Sequence, residues 1–113
     1  MHEMSLCEGV MQVLEDSAKS QGFTKVKTVW LEVGVLSGVE PEAMRFSFEV
    51  VINGTLAHGA KLEMIEVAAD AWCLLCSKAV AIKQRYDACP DCGQYQLQVS
   101  GGDDLRVKEL EVE

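Results

Sequence analysis

Two cysteine pairs determine the organisation of the chain: Cys73-Leu-Leu-Cys76 and Cys89-Pro-Asp-Cys92-Gly93, with twelve residues between them. A two-residue spacer lets both sulfur atoms of a pair face one ion, and Gly93 suits a tight turn whose backbone amides donate to the thiolates. Four thiolates form a closed tetrahedral shell with no open position for water. The spacing therefore predicts a structural or redox metal site and excludes a hydrolytic one.

The sequence leaves two metals open for this site. Zinc is the usual ion of a closed sulfur shell. The run Cys-Pro-x-Cys-Gly also resembles the second knuckle of rubredoxins, in which iron occupies such a shell. A haem attachment is excluded, because Ser77 follows Cys76 where a histidine is needed. Residues 70–97 hold few aliphatic side chains after Ile82, so we expect this segment to fold only with its metal.

A helix is predicted near the start of the chain, because four apolar residues recur at helical spacing: Met4, Cys7, Met11 and Leu14. Ser5 and Glu8 fit a capping box, which sets the helix at about residues 5 to 21 and leaves residues 1–3 as a short free end. Cys7, the fifth cysteine, is expected to be a small buried apolar residue.

A second helix is predicted after Glu40-Pro41-Glu42 and ends at Asn53-Gly54. Phe46 and Val50 are expected on one side of it, next to Phe48. Runs rich in β-branched residues predict three strands: 26–33, 61–67 and 105–112. In the last strand the apolar alternation slips by one residue, which either a β-bulge near Lys108-Glu109 or partial cover of both faces would explain.

These elements predict an α+β fold class: a small three-stranded sheet packed with two helices, plus an inserted zinc-ribbon-like module that carries the four cysteines. The expected division is an α/β domain of residues 1–69 and 98–113, and a metal-binding insert of residues 70–97.

Composition excludes several classes of function. The 113 residues include 10 Lys+Arg and 18 Asp+Glu, a net charge of −8, which disfavours nucleic acid and anionic membranes as partners. We expect a cytoplasmic protein, because no signal peptide or membrane span is visible and paired cysteines are typical of metal sites where thiols stay reduced. No nucleophile–base arrangement is visible, so an enzyme is not expected. His58, in a Gly-containing turn, is read as exposed and incidental.

The amino terminus has chemistry of its own. A terminal amine, main-chain amide nitrogens and the His2 imidazole can close small chelate rings around one ion. Such a square-planar nitrogen set suits Ni(II) or Cu(II). A histidine near a free terminus usually has no role, however, so His2 alone is a weak signal.

The segment Met1-His2-Glu3-Met4-Ser5-Leu6-Cys7 resembles the opening of the HypA/HybF family, the nickel-incorporation proteins of NiFe-hydrogenase maturation. Further matches are the strand Val29-Trp-Leu-Glu-Val-Gly34, the helix segment Phe46-Ser-Phe-Glu49 and the late four-cysteine insert. The resemblance covers essentially the whole chain.

The resemblance implies a nickel metallochaperone that is not an enzyme. It implies one Ni(II) at the amino terminus, held by His2 with main-chain nitrogen from Met1 and Glu3. It also implies a structural zinc held by four cysteines: Cys73, Cys76, Cys89 and Cys92. The implied partners are the GTPase HypB and the hydrogenase large-subunit precursor, with a second copy of the chain as a further candidate. The rival interpretations are a zinc-ribbon interaction module and a rubredoxin-like electron carrier.

Overall fold

The computed structural model describes residues 3–113, which form two helices and six strands in two three-stranded sheets. In chain order these are α1 (Glu3–Gln21), β1 (Val26–Gly34), α2 (Pro41–Ile52), β2 (Lys61–Val67), β3 (Ala69–Cys73), β4 (Lys78–Ile82), β5 (Leu97–Gly101) and β6 (Leu105–Val112). The strand orders are β2-β1-β6 and β4-β3-β5. The predicted α+β class, with two helices and a three-stranded sheet, is confirmed.

The described residues divide into two compact units. The first, here called the α/β unit, comprises residues 3–32, 39–65 and 106–113. The second, here called the cysteine unit, comprises residues 33–38 and 66–105. The cysteine unit is therefore larger than the expected insert of residues 70–97. The reason is that β5 pairs with β3, and the segment after β1 contributes a buried side chain to the same core.

The sheet β2-β1-β6 is mixed. The Val26 N–H donates to the carbonyl of Leu56, just before β2, and the Val35 N–H donates to the carbonyl of Val67 at the end of β2. The starts of the two strands are therefore neighbours, and so are their ends. This means that β1 and β2 run parallel. A parallel pair needs a crossover connection, and α2 lies in that connection.

Strand β6 runs antiparallel to β1, and the register explains its irregular pattern. The Glu113 N–H donates to the Lys25 carbonyl, and the Gly34 N–H donates to the Asp104 carbonyl. Nine residues separate the two positions on each strand, so the pair accommodates no net extra residue. A β-bulge would add one residue to one strand, and the alternative of two partly covered faces is the one that fits.

Helix α1 begins two residues earlier than the capping box predicted. Glu3 lies in the first turn, where a carboxylate interacts favourably with the positive end of the helix dipole. Ser5 is an exposed residue within the helix and not its N-cap. Glu3 therefore belongs to the helix and not to a free end, whereas Met1 and His2 lie outside the described residues.

Helix α2 has the predicted bounds and buries one side. Met44, Phe48 and Ile52, spaced four residues apart, are buried and form the inner stripe. Phe46 and Val50 share one side of the helix but are 67% and 50% exposed, so the prediction that Phe48 lies next to them is wrong. Two residues along a helix is about 200° of rotation, which takes Phe46 away from the stripe.

The core of the α/β unit consists of large apolar side chains from both helices and from β1. The fully buried ones are Phe48, Leu14, Leu31, Met44, Val26, Val29 and Cys7. The core of the cysteine unit is smaller, with Leu36, Val80 and Ile82 as its buried large aliphatic residues beside two alanines and two cysteines. No helix within residues 3–113 is both long and apolar enough to cross a membrane.

Candidate metal centre

The four paired cysteines meet in the cysteine unit, as predicted. One sulfur atom from each of Cys73, Cys76, Cys89 and Cys92 lies within 4.8 Å of all the others. The Sγ atoms of Cys73 and Cys92 are 3.7 Å apart, and those of Cys76 and Cys89 are 4.0 Å apart. A tetrahedron with metal–sulfur bonds of about 2.3 Å has edges of about 3.8 Å. The sulfur positions therefore fit a single tetrahedral ion of the size of zinc.

Two knuckle turns with the same hydrogen bonds position the sulfur atoms. In the first, the Ser77 N–H donates to the Cys73 carbonyl at 2.8 Å, and in the second the Gly93 N–H donates to the Cys89 carbonyl at 2.8 Å. Both residues have positive φ, 53° for Ser77 and 74° for Gly93. Gly93 adopts this conformation without a steric penalty, whereas Ser77 does so against the ordinary preference of an L-residue.

Hydrogen bonding and burial give the thiols of Cys73 and Cys76 different pKa values. Cys73 and Cys89 are buried, whereas Cys76 and Cys92 are half-buried. The backbone N–H of Cys76 donates to the Cys73 sulfur at 3.3 Å and lowers the pKa of Cys73 to about 7. The thiol of Cys76, engaged with the sulfur atoms of Cys92 and Cys73, has its pKa raised to about 12. The thiolate is thus favoured at Cys73, whereas a dication must displace the proton of Cys76.

A charged pair flanks the cysteine cluster. Lys78, on β4, forms an ion pair with Asp91, which lies between the cysteines of the second pair. The hydrogen bond and the negative charge of Asp91 raise the pKa of Lys78. Four thiolates around one dication carry a formal charge of −2. Lys78 therefore places a positive charge where the loaded site is negative.

Of the predicted amino-terminal ligands, the structure describes Glu3. The Glu3 Oε2 accepts a hydrogen bond from the Glu40 N–H at 3.4 Å. Glu40 is in turn the N-cap of α2, and its carboxylate accepts from the amides of Glu42 and Ala43. The carboxylate of Glu3 is thus linked to the start of the second helix. Its main-chain N–H, at the first position of α1, has no acceptor within the helix.

The remaining histidine and cysteine are apart from this chemistry, as predicted. His58 is exposed, and its Nδ1 accepts a hydrogen bond from the Gly54 N–H at 3.1 Å. Cys7 is fully buried, with its sulfur 3.6 Å from both the carbonyl oxygen and the sulfur of Met44. Burial, with a smaller contribution from the Glu3 carboxylate, raises the pKa of the Cys7 thiol to about 11.

Together these features define a class. The chain is a metal-binding α+β protein with a closed four-cysteine centre in one unit and an unrelated helix-and-sheet unit that carries the amino terminus. The sulfur shell leaves no coordination position for a substrate.

Comparison with known proteins identifies the family within this class. The family model described as "Hydrogenase/urease nickel incorporation, metallochaperone, hypA" matches residues 1–112. The hydrogenase maturation factor HypA of Azotobacter chroococcum mcd 1 is 61% identical over 113 residues, and that of Rhodopseudomonas palustris strain BisA53 is 60% identical, each over the full length of both chains. The chain belongs to the HypA family, the nickel metallochaperones of hydrogenase maturation.

Solved structures agree with the fold. The solution structure of the Ni metallochaperone HypA from Helicobacter pylori superimposes with a TM-score of 0.78 and covers 99% of this chain and 97% of its own, at 23% identity. A second solution structure, of a HypA protein, gives a TM-score of 0.75 at the same identity. At this identity the likeness concerns the fold.

Proposed function

We propose that the protein binds Ni(II) at its amino terminus and helps to insert it into the large-subunit precursor of a NiFe hydrogenase. The observation that carries this proposal is the family match, which extends from residue 1 to residue 112 and so includes the start Met1-His2-Glu3. The relatives that are about 60% identical are described as hydrogenase maturation factors.

The proposed nickel ligands are the His2 imidazole and main-chain nitrogen of Met1 and Glu3. The position of Glu3 supports this set in two ways. Its carboxylate is held by the Glu40 N–H, and its own main-chain nitrogen lies at the helix start, where no carbonyl competes for it. Imidazole and amine, with reference pKa values of about 6.5 and 7.7–8.0, must be deprotonated to bind, so nickel loading falls as the pH falls.

The two proposed metal sites differ in how readily a bound ion can pass to another ligand. Nitrogen ligands at the start of a chain leave open faces from which an incoming ligand can take the ion. The four-cysteine shell has no open position, and two of its members are buried. We therefore assign transfer to the nickel at the amino terminus and a structural role to the ion held by the cysteines.

Zinc is the metal proposed for Cys73, Cys76, Cys89 and Cys92. The sulfur distances of 3.7 and 4.0 Å are compatible with it. Elemental analysis of protein purified without added metal tests this choice. A colourless protein with about one zinc and no iron per chain is expected. A red protein with one iron would instead favour the rubredoxin-like electron carrier.

The proposed partners are the GTPase HypB and the large-subunit precursor, in the cytoplasm, with a second copy of the chain as a further candidate. We propose no catalytic role for the chain itself. A maturation assay in cells that lack the endogenous protein tests the transfer. Native protein should restore nickel-containing, processed large subunit, and the His2→Ala variant should not. Lys83→Gln is the control and should restore it fully, because Lys83 is an exposed side chain that belongs to neither proposed metal site.

A further inference from the structure

A groove of about 420 Å³ in the α/β unit gathers positive charge. Its lining includes Lys25 just before β1, Lys27 near the start of β1, Lys61 at the start of β2, and His58 from the turn before β2. Because β1 and β2 are parallel, their starts lie at the same end of the sheet, which brings Lys61 next to the other two lysines. This groove is called the basic groove below, and these four residues are its basic side chains.

The charge of the basic groove is opposite to that of the chain. The whole protein has 18 acidic and 10 basic residues, yet the groove holds three lysines and one acid, Glu111. Glu111 Oε1 accepts a hydrogen bond from the Thr28 hydroxyl at 2.8 Å. The ion pairs found among residues 3–113 involve Lys78 and Arg106, so in that part of the chain the three groove lysines have no carboxylate partner.

Protection of a sheet edge can explain Lys61, which lies on the edge strand β2, but not Lys27. Edge strands often carry lysine to prevent pairing with other chains. Lys27 lies on β1, however, and β1 is the central strand of its sheet. His58 also keeps a free donor, because its Nδ1 accepts from the Gly54 N–H and the ring proton is therefore on Nε2. The groove thus offers three ammonium groups and one N–H donor to a ligand.

We propose that the basic groove binds a carboxylate-rich segment of a partner protein. Lys25 and Lys27 are about 7 Å apart along the chain, a spacing that suits carboxylates at alternate positions of an extended segment, which point to the same face. A single phosphate group would favour converging arginine forks or a helix amino terminus, neither of which lines the groove. This proposal does not depend on the nickel site, since it concerns only the side chains of Lys25, Lys27, His58 and Lys61.

The test uses a hexaglutamate peptide, titrated into zinc-loaded, full-length protein at low ionic strength and followed by backbone amide NMR shifts. The groove variant is the triple substitution Lys25→Gln, Lys27→Gln, Lys61→Gln. The control is Lys19→Gln, Lys83→Gln, Lys108→Gln, which removes the same charge from exposed lysines outside the groove. We expect the groove variant to bind at least about tenfold more weakly and the control less than about threefold more weakly, since screening limits distant charges.

Shift changes in native protein should centre on residues 25–28 and 58–61, and they should weaken as salt is raised. Hexaserine should cause none. The proposal is overturned if native protein does not bind hexaglutamate, or if both triple variants lose affinity equally, which would indicate only the general field of the protein. It is also overturned if inorganic phosphate at millimolar concentration shifts the same residues and hexaglutamate does not.

Discussion

The α/β unit and the cysteine unit differ in how many large apolar side chains they bury. The α/β unit encloses Leu14, Leu31, Met44 and Phe48 completely. The buried large aliphatic residues of the cysteine unit are Leu36, Val80 and Ile82, with 7–9% of their surface still exposed. Apolar burial contributes about 25 cal/mol per Å², so packing can stabilise the first unit. We expect the second unit to need its metal, so that the one chain combines two sources of stability.

Removal of the metal should produce the largest difference between the two units, because it should unfold the cysteine unit alone. Structural zinc contributes binding free energies of about 10–16 kcal/mol in small domains. A chelator, or the Cys73→Ala substitution, should therefore abolish the dispersed NMR signals of residues 66–105. The signals of α1, of α2 and of residues 26–32 in β1 should persist, because their core contains no metal ligand. Ser100→Ala, an exposed change in the same unit, is the control and should retain all signals. Collapse of both units together would contradict the comparison.

Loss of a large core side chain should destabilise the α/β unit. Leu14→Ala removes a completely buried leucine from the α/β unit and should lower the free energy of unfolding by about 2.5–5 kcal/mol, through lost burial and a cavity. Val13→Ala, next to it but 45% exposed, should cost less than about 1 kcal/mol. Urea unfolding measures both. Zinc content should remain unchanged in each variant, and a loss of zinc on Leu14→Ala would show that the metal depends on this core.

A third prediction concerns pH and Cys7. The Cys7 thiol has a pKa of about 11 in the folded chain against an ordinary value of 9.0. The folded state then holds a proton that the unfolded state releases, so this contribution to stability is complete below pH 9 and is lost as the pH rises to 11. Between pH 8 and pH 11, native protein should lose about 2–3 kcal/mol more than Cys7→Ala. Parallel stability curves for the two proteins would refute this.

Thiol reactivity should distinguish the five cysteines. In metal-loaded protein none should react rapidly with a thiol reagent. After chelation, the four paired cysteines should react, because the unit that buries them unfolds. Cys7 should remain unreactive until denaturant is added, since the α/β core covers it completely. The number of modified thiols per chain, determined by mass spectrometry, measures the outcome. Five reactive thiols after chelation alone would mean that the α/β unit opens as well.

The ion pair between Lys78 and Asp91 should have the smallest effect. Both side chains are about half exposed, and exposed pairs contribute only about 0–1 kcal/mol. Lys78→Gln should therefore leave zinc content unchanged and shift the chelator concentration at half-loss of zinc by less than about fivefold. Lys83→Gln serves as control and should have no effect. A larger loss for Lys78→Gln would give this lysine a role in holding the thiolates.

The features that the sequence predicted are those set by local patterns. The bounds of β1 and α2 follow from β-branched residues, from Pro41 and from Asn53-Gly54. The four-cysteine cluster follows from spacing alone. In each case neighbouring residues carry the physical cause, so no knowledge of distant contacts is needed.

The features that escaped prediction depend on distant residues or on unusual backbone. Leu36 joins the core of the cysteine unit because Gly34 approaches the Gly102 carbonyl so closely that a Cβ there would overlap it. Glu3 begins α1 and bonds to an amide 37 positions away. Ser77 adopts positive φ where glycine would be expected. Gly34 is visible in the sequence as a glycine in a strand, but its partner Gly102, the partner of Glu3 and the conformation of Ser77 are not.

The central claim is that nickel binds at the amino terminus, separately from the four cysteines. Nickel titration by calorimetry, with zinc content measured in parallel, tests it most directly on three forms: native protein, His2→Ala and a form with one extra residue before Met1. Both altered forms should lose nearly all high-affinity nickel while keeping one zinc per chain. Equal nickel binding by all three forms, or a loss of zinc together with nickel, would contradict the claim.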